Sequence, residues 1–153
     1  MNILKKLLEI YDQVNKFGTE NGLKLIITKP GEIIYEMVVL EKHLATPTTI
    51  HGGMIAAMMD GVIGVAALTL VALDGKLVST VEYKLNYYKP AYLGDVLTGY
   101  GRVDYRGKRI IHTSGEIYNQ KNEMIAKAMG TFNAYPFEKS DLANYLKNIN
   151  KEL

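Results

Sequence analysis

The stretch Met54-Ile55-Ala56-Ala57-Met58-Met59-Asp60-Gly61-Val62-Ile63-Gly64-Val65-Ala66-Ala67-Leu68-Thr69-Leu70-Val71-Ala72-Leu73 decides the fold. It carries one charge, Asp60. Ala, Met and Leu favour helix, and apolar residues fall on every side of the predicted helix. Such a helix is buried in a core or in a membrane, and this one is long enough to span a bilayer. The residues beyond it favour the core. After Asp74-Gly75 the pattern changes to four half-buried strands, for which a membrane span has no use. A helix apolar all round needs a sheet that wraps it. Gly61 and Gly64 cost that helix about 1 kcal/mol each relative to Ala. They make sense where its backbone lies close against a sheet, and Ala57, Gly61 and Gly64 fall near one helix face.

Downstream, Val81, Tyr83, Leu85 and Tyr87 alternate with Glu82, Lys84, Asn86 and Tyr88, and Pro90 ends that strand. Val96–Tyr105 and Arg109–Asn119 flank Arg106-Gly107-Lys108, a hairpin turn signal. Met124–Ala134 pairs next, and Pro136 closes the sheet. Upstream, Leu23–Thr28 and Glu32–Leu40 read as strands around Pro30-Gly31. Residues 2–17 read as an amphipathic helix through Ile3, Leu7, Ile10 and Val14, with Leu4, Leu8 and Tyr11 beside them. Residues 138–150 read as a short helix through Leu142, Leu146 and Ile149, capped by Ser140 or Asp141. The class is α+β. A single domain over 1–153 is expected, with 1–18 and 137–153 as helical extensions.

Composition supports one globular domain: 153 residues, 48% hydrophobic, 22% charged. There is no Cys, which excludes a disulfide scaffold and a thiolate metal site and allows a reducing, cytoplasmic setting. No His and carboxylate group has metal-ligand spacing, so no metal is expected. The net charge of +2 does not argue for nucleic acid. Lys5-Lys6 is followed by Glu9, Asp12, Gln13 and Asn15, a poor signal peptide.

His51-Gly52-Gly53 stands before the long helix. Gly at a helix entry leaves backbone N–H groups bare, and with the helix dipole they favour negative charge. A carbonyl oxygen that turns anionic during acyl transfer would be stabilised there. Asp60 lies two turns on, among apolar neighbours. An isolated carboxylate is costly to bury, so it is paired, wet or protonated. It either points to a solvated groove or acts as a general base or nucleophile, and the Gly pair on the same helix tips the balance to catalysis. For His51 a loop-fixing hydrogen bond outweighs a catalytic role. His43 and His112 are isolated and receive no role. Arg106, Lys108 and Arg109 read as a solvated hairpin tip or as phosphate partners, with Lys89 a weaker candidate. Tyr83, Tyr87, Tyr88 and Tyr92 read as sheet packing and interface surface. Met54, Met58 and Met59 read as core filling before an acyl tunnel.

The string His51-Gly52-Gly53-x6-Asp60-x3-Gly64-x-Ala66-Ala67 resembles the hot-dog-fold acyl-CoA thioesterases of the phenylacetate-degradation, PaaI-like type. The resemblance continues through Tyr87-x-x-Pro90-Ala91-x-x-Gly94-Asp95 and covers roughly residues 33–134. It implies a long central helix wrapped by an antiparallel sheet. It also implies subunits paired edge to edge as a homodimer or homotetramer, with the site at the dimer interface. The ligand would be an acyl-CoA, with coenzyme A as part of the substrate and no separate cofactor. By motif position, Gly52 N–H, with Gly53, would polarise the carbonyl, and Asp60 of the second subunit would be base or nucleophile. Thr80, ten residues before Pro90, would help place water.

One departure stands out. These enzymes commonly carry Asn or Gln fifteen residues before the carboxylate. Here that residue is Ala45, followed by Thr46-Pro47-Thr48-Thr49, and the usual Gly before the His-Gly-Gly is missing. This motivates the alternative of a non-catalytic acyl-CoA-binding protein. A hot-dog hydratase ranks lower, because the helix lacks an Asp and His pair.

Overall fold

The computed structural model describes residues 3–149. Two short helices, α1 (Ile3–Val14) and α2 (Lys16–Glu20), precede the hairpin β1 (Lys24–Lys29) and β2 (Glu32–Val38). A loop leads to the long helix α3 (Gly52–Val71). Four strands follow: β3 (Lys76–Tyr87), β4 (Val96–Arg106), β5 (Ile110–Tyr118) and β6 (Met124–Pro136). Helix α4 (Asp141–Ile149) ends the described chain. The strands form one antiparallel sheet in the order β1-β2-β4-β5-β6-β3.

The sheet curls around α3, and one turn of the helix shows how. Asp60 meets Thr80 on β3. Gly61 faces the Tyr35 ring on β2, Val62 lies over Gly99 and Gly101 of β4, and Ile63 lies over Gly115 of β5 and Gly130 of β6. Gly64 faces Phe132 on β6. Five consecutive residues thus touch five strands. That is why the helix carries no polar face, and why an apolar run of membrane-spanning length is a core helix here.

The close approach depends chiefly on glycines of the sheet. A Cβ at Gly101 would stand 2.0 Å from the Val62 carbonyl oxygen, and one at Gly99 would stand 2.5 Å from the Val62 side chain. On the helix, a Cβ at Gly64 would meet Phe132 at 3.0 Å, while one at Gly61 has ordinary room at 3.5 Å from Tyr35. The expectation that the helix glycines admit the sheet therefore holds for Gly64 and shifts otherwise to the strands. Gly31, with φ +86°, turns the β1–β2 hairpin, and its N–H donates to Thr69 Oγ1 of α3 at 2.9 Å.

Several boundaries differ from the expectation. The helix foreseen over 2–17 breaks at Asn15, whose side chain accepts from Gly18 N–H at 3.0 Å and so caps a second helix. β3 begins at Lys76, earlier than its alternating segment, because it is an edge strand with no consistent buried face. β2 stops at Val38. The C-terminal helix starts at Asp141, with Ser140 Oγ accepting from Ala143 N–H at 3.0 Å. Residues 1–2 and 150–153, the outermost parts of the two expected extensions, lie outside the described residues.

Candidate active site

His51 sets the entrance of α3. Its backbone is extended (φ −68°, ψ 131°), and its Nδ1 accepts from Gly53 N–H at 2.7 Å. Nδ1 as acceptor places the proton of the neutral ring on Nε2. His51 N–H donates to the His43 carbonyl at 2.8 Å, and Met54 N–H to the His51 carbonyl at 2.9 Å. His51 is thus the helix cap, the structural role expected of it. Gly53 departs from its expected part as a second oxyanion donor, because His51 engages its N–H. Gly52 N–H has no acceptor among the described residues, so the donor set narrows to that one group.

His43 itself is buried. Its Nδ1 accepts from Leu40 N–H at 3.0 Å, so its Nε2–H donates to Asn21 Oδ1 at 3.1 Å. Burial first, and then the Lys42 charge, hold its pKa below the usual value. Isolated in the sequence, His43 proves to be the anchor that seats His51.

A cleft of about 240 Å³ opens at the helix entrance, lined by Ile50, Gly52, Ile55, Tyr87, Lys89 and Pro90 among others. Tyr87 donates its hydroxyl proton to the Gly52 carbonyl at 2.7 Å and lays its ring over the glycine. Tyr87 is therefore a site residue, beyond the packing role foreseen for the tyrosine strand. Its place in the Tyr87-x-x-Pro90 string was the available signal. Lys89 reaches the cleft but pairs with Glu123, whose carboxyl it holds below the usual range together with Asn119.

Asp60 is half-buried, and its Oδ1 accepts the Thr80 hydroxyl proton at 2.8 Å. Thr80 lies on β3 just before a bulge whose extra residue, Val81, is 58% exposed. Tyr83, past the bulge, donates to the Ala56 carbonyl at 2.8 Å. Burial raises the Tyr83 phenol, and the Asp60 charge adds to it. Gly52 and Asp60 are eight residues apart on one helix, about 12 Å along its axis at 1.5 Å per residue. They cannot act on one carbonyl within a single chain.

The basic hairpin is remote within the chain. Arg106 pairs with Asp74 just past the C-terminal end of α3, and Arg109 reaches Asn133 Oδ1 at 3.3 Å. Lys108 is exposed between them. By the length of α3 this cluster stands about 30 Å from Gly52. At Ala45 the loop offers no amide, and the Thr46 hydroxyl accepts from Thr49 N–H at 2.9 Å, inside its own turn. Among the described residues no three His, Cys, Asp or Glu side chains cluster as a metal site.

A long helix wrapped by its own antiparallel sheet defines a hot-dog fold, here with a bare N–H at the helix entrance and a hydroxyl-braced carboxylate two turns on. The chain belongs to the thioesterase superfamily, whose profile matches residues 48–126, more than half of its length, and its reaction class is thioester hydrolysis. It is 28% identical to human acyl-coenzyme A thioesterase 13 over 130 residues, covering 84% of this chain and 91% of that protein. The Escherichia coli PaaI protein of the phenylacetic acid degradation operon superposes with a TM-score of 0.80 at 20% identity, over 87% of this chain and 94% of the other. A hypothetical thioesterase of Streptococcus pneumoniae, solved with coenzyme A, superposes with a TM-score of 0.68 at 24% identity, over 74% and 89%.

Proposed function

We propose that this protein hydrolyses an acyl-CoA with Asp60 as general base and Gly52 N–H as oxyanion donor, the two supplied by different copies of the chain. The observation that carries this is the Thr80 hydroxyl on Asp60 Oδ1. It fixes the carboxylate and leaves Oδ2 to take a proton from water. The hydroxide adds to the thioester carbon, and Gly52 N–H receives the developing negative charge. The C–S bond then breaks, Asp60 returns the proton to the departing coenzyme A thiolate, and the carboxylic acid remains.

The exposed edge supports the pairing. β3 is an outermost strand of 12 residues, with Ser79, Thr80 and Val81 exposed along it. A long uncovered edge is a template for a second strand. Because Thr80 sits on that edge beside Asp60, a second copy joined there brings its own helix entrance toward the carboxylate. The active unit is a homodimer, or a homotetramer of two such dimers, acting in the cytoplasm without a further cofactor. Lys89 is the cleft's own cation for the coenzyme A phosphates. Lys108 and Arg109 serve only if a second copy brings the hairpin near.

Ala45 favours one other reading, an acyl-CoA-binding protein without turnover. Purified parent and Asp60→Asn, each assayed on short, long and aromatic acyl-CoAs, separate the two. Hydrolysis by the parent and its loss in the folded variant are expected. Equal rates in both would remove Asp60 from the mechanism, and tight binding without turnover in the parent would establish the binding reading.

A further inference from the structure

The open face of α3 beside Asp60 carries little bulk. Ala56, Ala57 and Gly61 are its half-exposed neighbours, and none has more than a methyl side chain. On the β3 side this floor is bounded by Thr80 and Tyr83. On the other side stand two tyrosines. Tyr35 of β2, 1% exposed, lies with its ring 3.5 Å from where a Gly61 Cβ would stand. Its hydroxyl donates to the hydroxyl of Tyr11 on α1 at 3.0 Å.

Tyr11 is thus half-buried against the core and joined, through the Tyr35 hydroxyl, to the ring that faces Gly61, the residue that follows Asp60. Burial is the main cause of its raised phenol, and the Asp60 charge adds to it. Of the two tyrosines on this side Tyr35 is buried and Tyr11 half-buried, so Tyr11 is the one whose ring a ligand can reach. In the proposed reaction the thioester carbonyl sits at Asp60, so the acyl group has to lie along this floor, away from the cleft at Lys89.

We propose that Tyr11 is a specificity-determining residue: it forms the α1 wall of the acyl groove beside Asp60 and sets the size of the acyl group accepted. This rests on the thioesterase reading of Asp60. The ring does its work by volume, so its effect appears as a ratio between substrates. A structural role alone would lower all rates together.

The test measures kcat/KM on acetyl-, hexanoyl- and dodecanoyl-CoA for parent, Tyr11→Ala, Tyr11→Phe and Tyr11→Trp, with thermal unfolding followed for each. Tyr11→Ala is expected to raise the dodecanoyl-to-acetyl ratio about tenfold or more, the scale of a pocket altered by a few methylenes. Tyr11→Trp is expected to lower it, and Tyr11→Phe, which keeps the volume, to preserve it. Removing the hydroxyl leaves Tyr35 without its partner in all three variants, so a common loss of stability does not mimic the result. If Tyr11→Ala does not fold, Tyr11→Trp alone decides. An unchanged ratio in a folded Tyr11→Ala or Tyr11→Trp overturns the proposal while leaving Asp60 in place. A parent that hydrolyses none of the three and no aromatic acyl-CoA either overturns the thioesterase reading beneath it.

Discussion

The Thr80 hydroxyl donates to Asp60 Oδ1 at 2.8 Å, joining the edge strand β3 to the middle of the central helix. The bond ties the one charge of an apolar helix to the one long edge at which another copy can add. It is the point at which folding, assembly and chemistry meet.

Replacing Thr80 by Val removes the proton that orients the carboxylate and leaves the strand's β-branched shape intact. The expected loss in kcat is about tenfold, the scale of one hydrogen bond to a charged group. Thr80→Ser restores most of it. The measurement is steady-state hydrolysis with KM determined separately. A loss confined to KM would assign Thr80 to binding instead.

Gly101→Ala probes the wrapping of the helix. The new methyl would stand 2.0 Å from the Val62 carbonyl oxygen, a backbone atom that cannot swing aside. The expected cost is about 3 kcal/mol or more, measured by urea unfolding. Gly61→Ala on the helix, with 3.5 Å to Tyr35, is expected to cost far less. Equal costs would contradict the placement of the close approach on the strand glycines.

His43 predicts a pH dependence. Its folded pKa lies below the unfolded value of about 6.5. In the window between the two, the unfolded chain binds more protons than the folded one, so stability rises with pH. The contribution is complete above pH ~6.5 and is lost as pH falls below it. Unfolding followed from pH 7.5 to 5.5 should show this slope in the parent and a flatter one in His43→Gln. The lowered carboxyls of Glu116 and Glu123 act further down, below the usual carboxylate range.

Much of this arrangement was legible in the residues. The helix and its wrapping followed from an apolar circumference with a single charge, and the hairpin at Gly107 from its turn residues. The break at Asn15 was obscured because the apolar period runs through it, while a side-chain cap competes locally with the helix. The strand glycines were silent because hydrophobic alternation does not register a residue without a side chain. The start of β3 was hidden because Lys76, Leu77 and Val78 are all half-buried, which leaves no alternation to read. At the candidate site, Asp60 and Gly52 stood out by spacing and Thr80 by resemblance alone, and the hydrogen bond between Thr80 and Asp60 is what the structure adds. That His51 engages Gly53, that His43 seats His51, and that Tyr11 meets the hydroxyl of Tyr35 depend on contacts the sequence does not display.

The shared site is tested most directly by complementation. Gly52→Pro removes the oxyanion N–H at the first helical position, where proline is favoured, behind a residue already extended at ψ 131°. Asp60→Asn removes the base. Each variant alone is expected to lose about a hundredfold or more of the hydrolysis rate. Co-expressed with separate tags, the two chains form mixed dimers in which one site holds an intact Gly52 and an intact Asp60. Restoration to about a quarter of the parental rate, from random pairing in a two-fold dimer, is the expected result. Mixed dimers as inactive as either variant would contradict a site shared between copies.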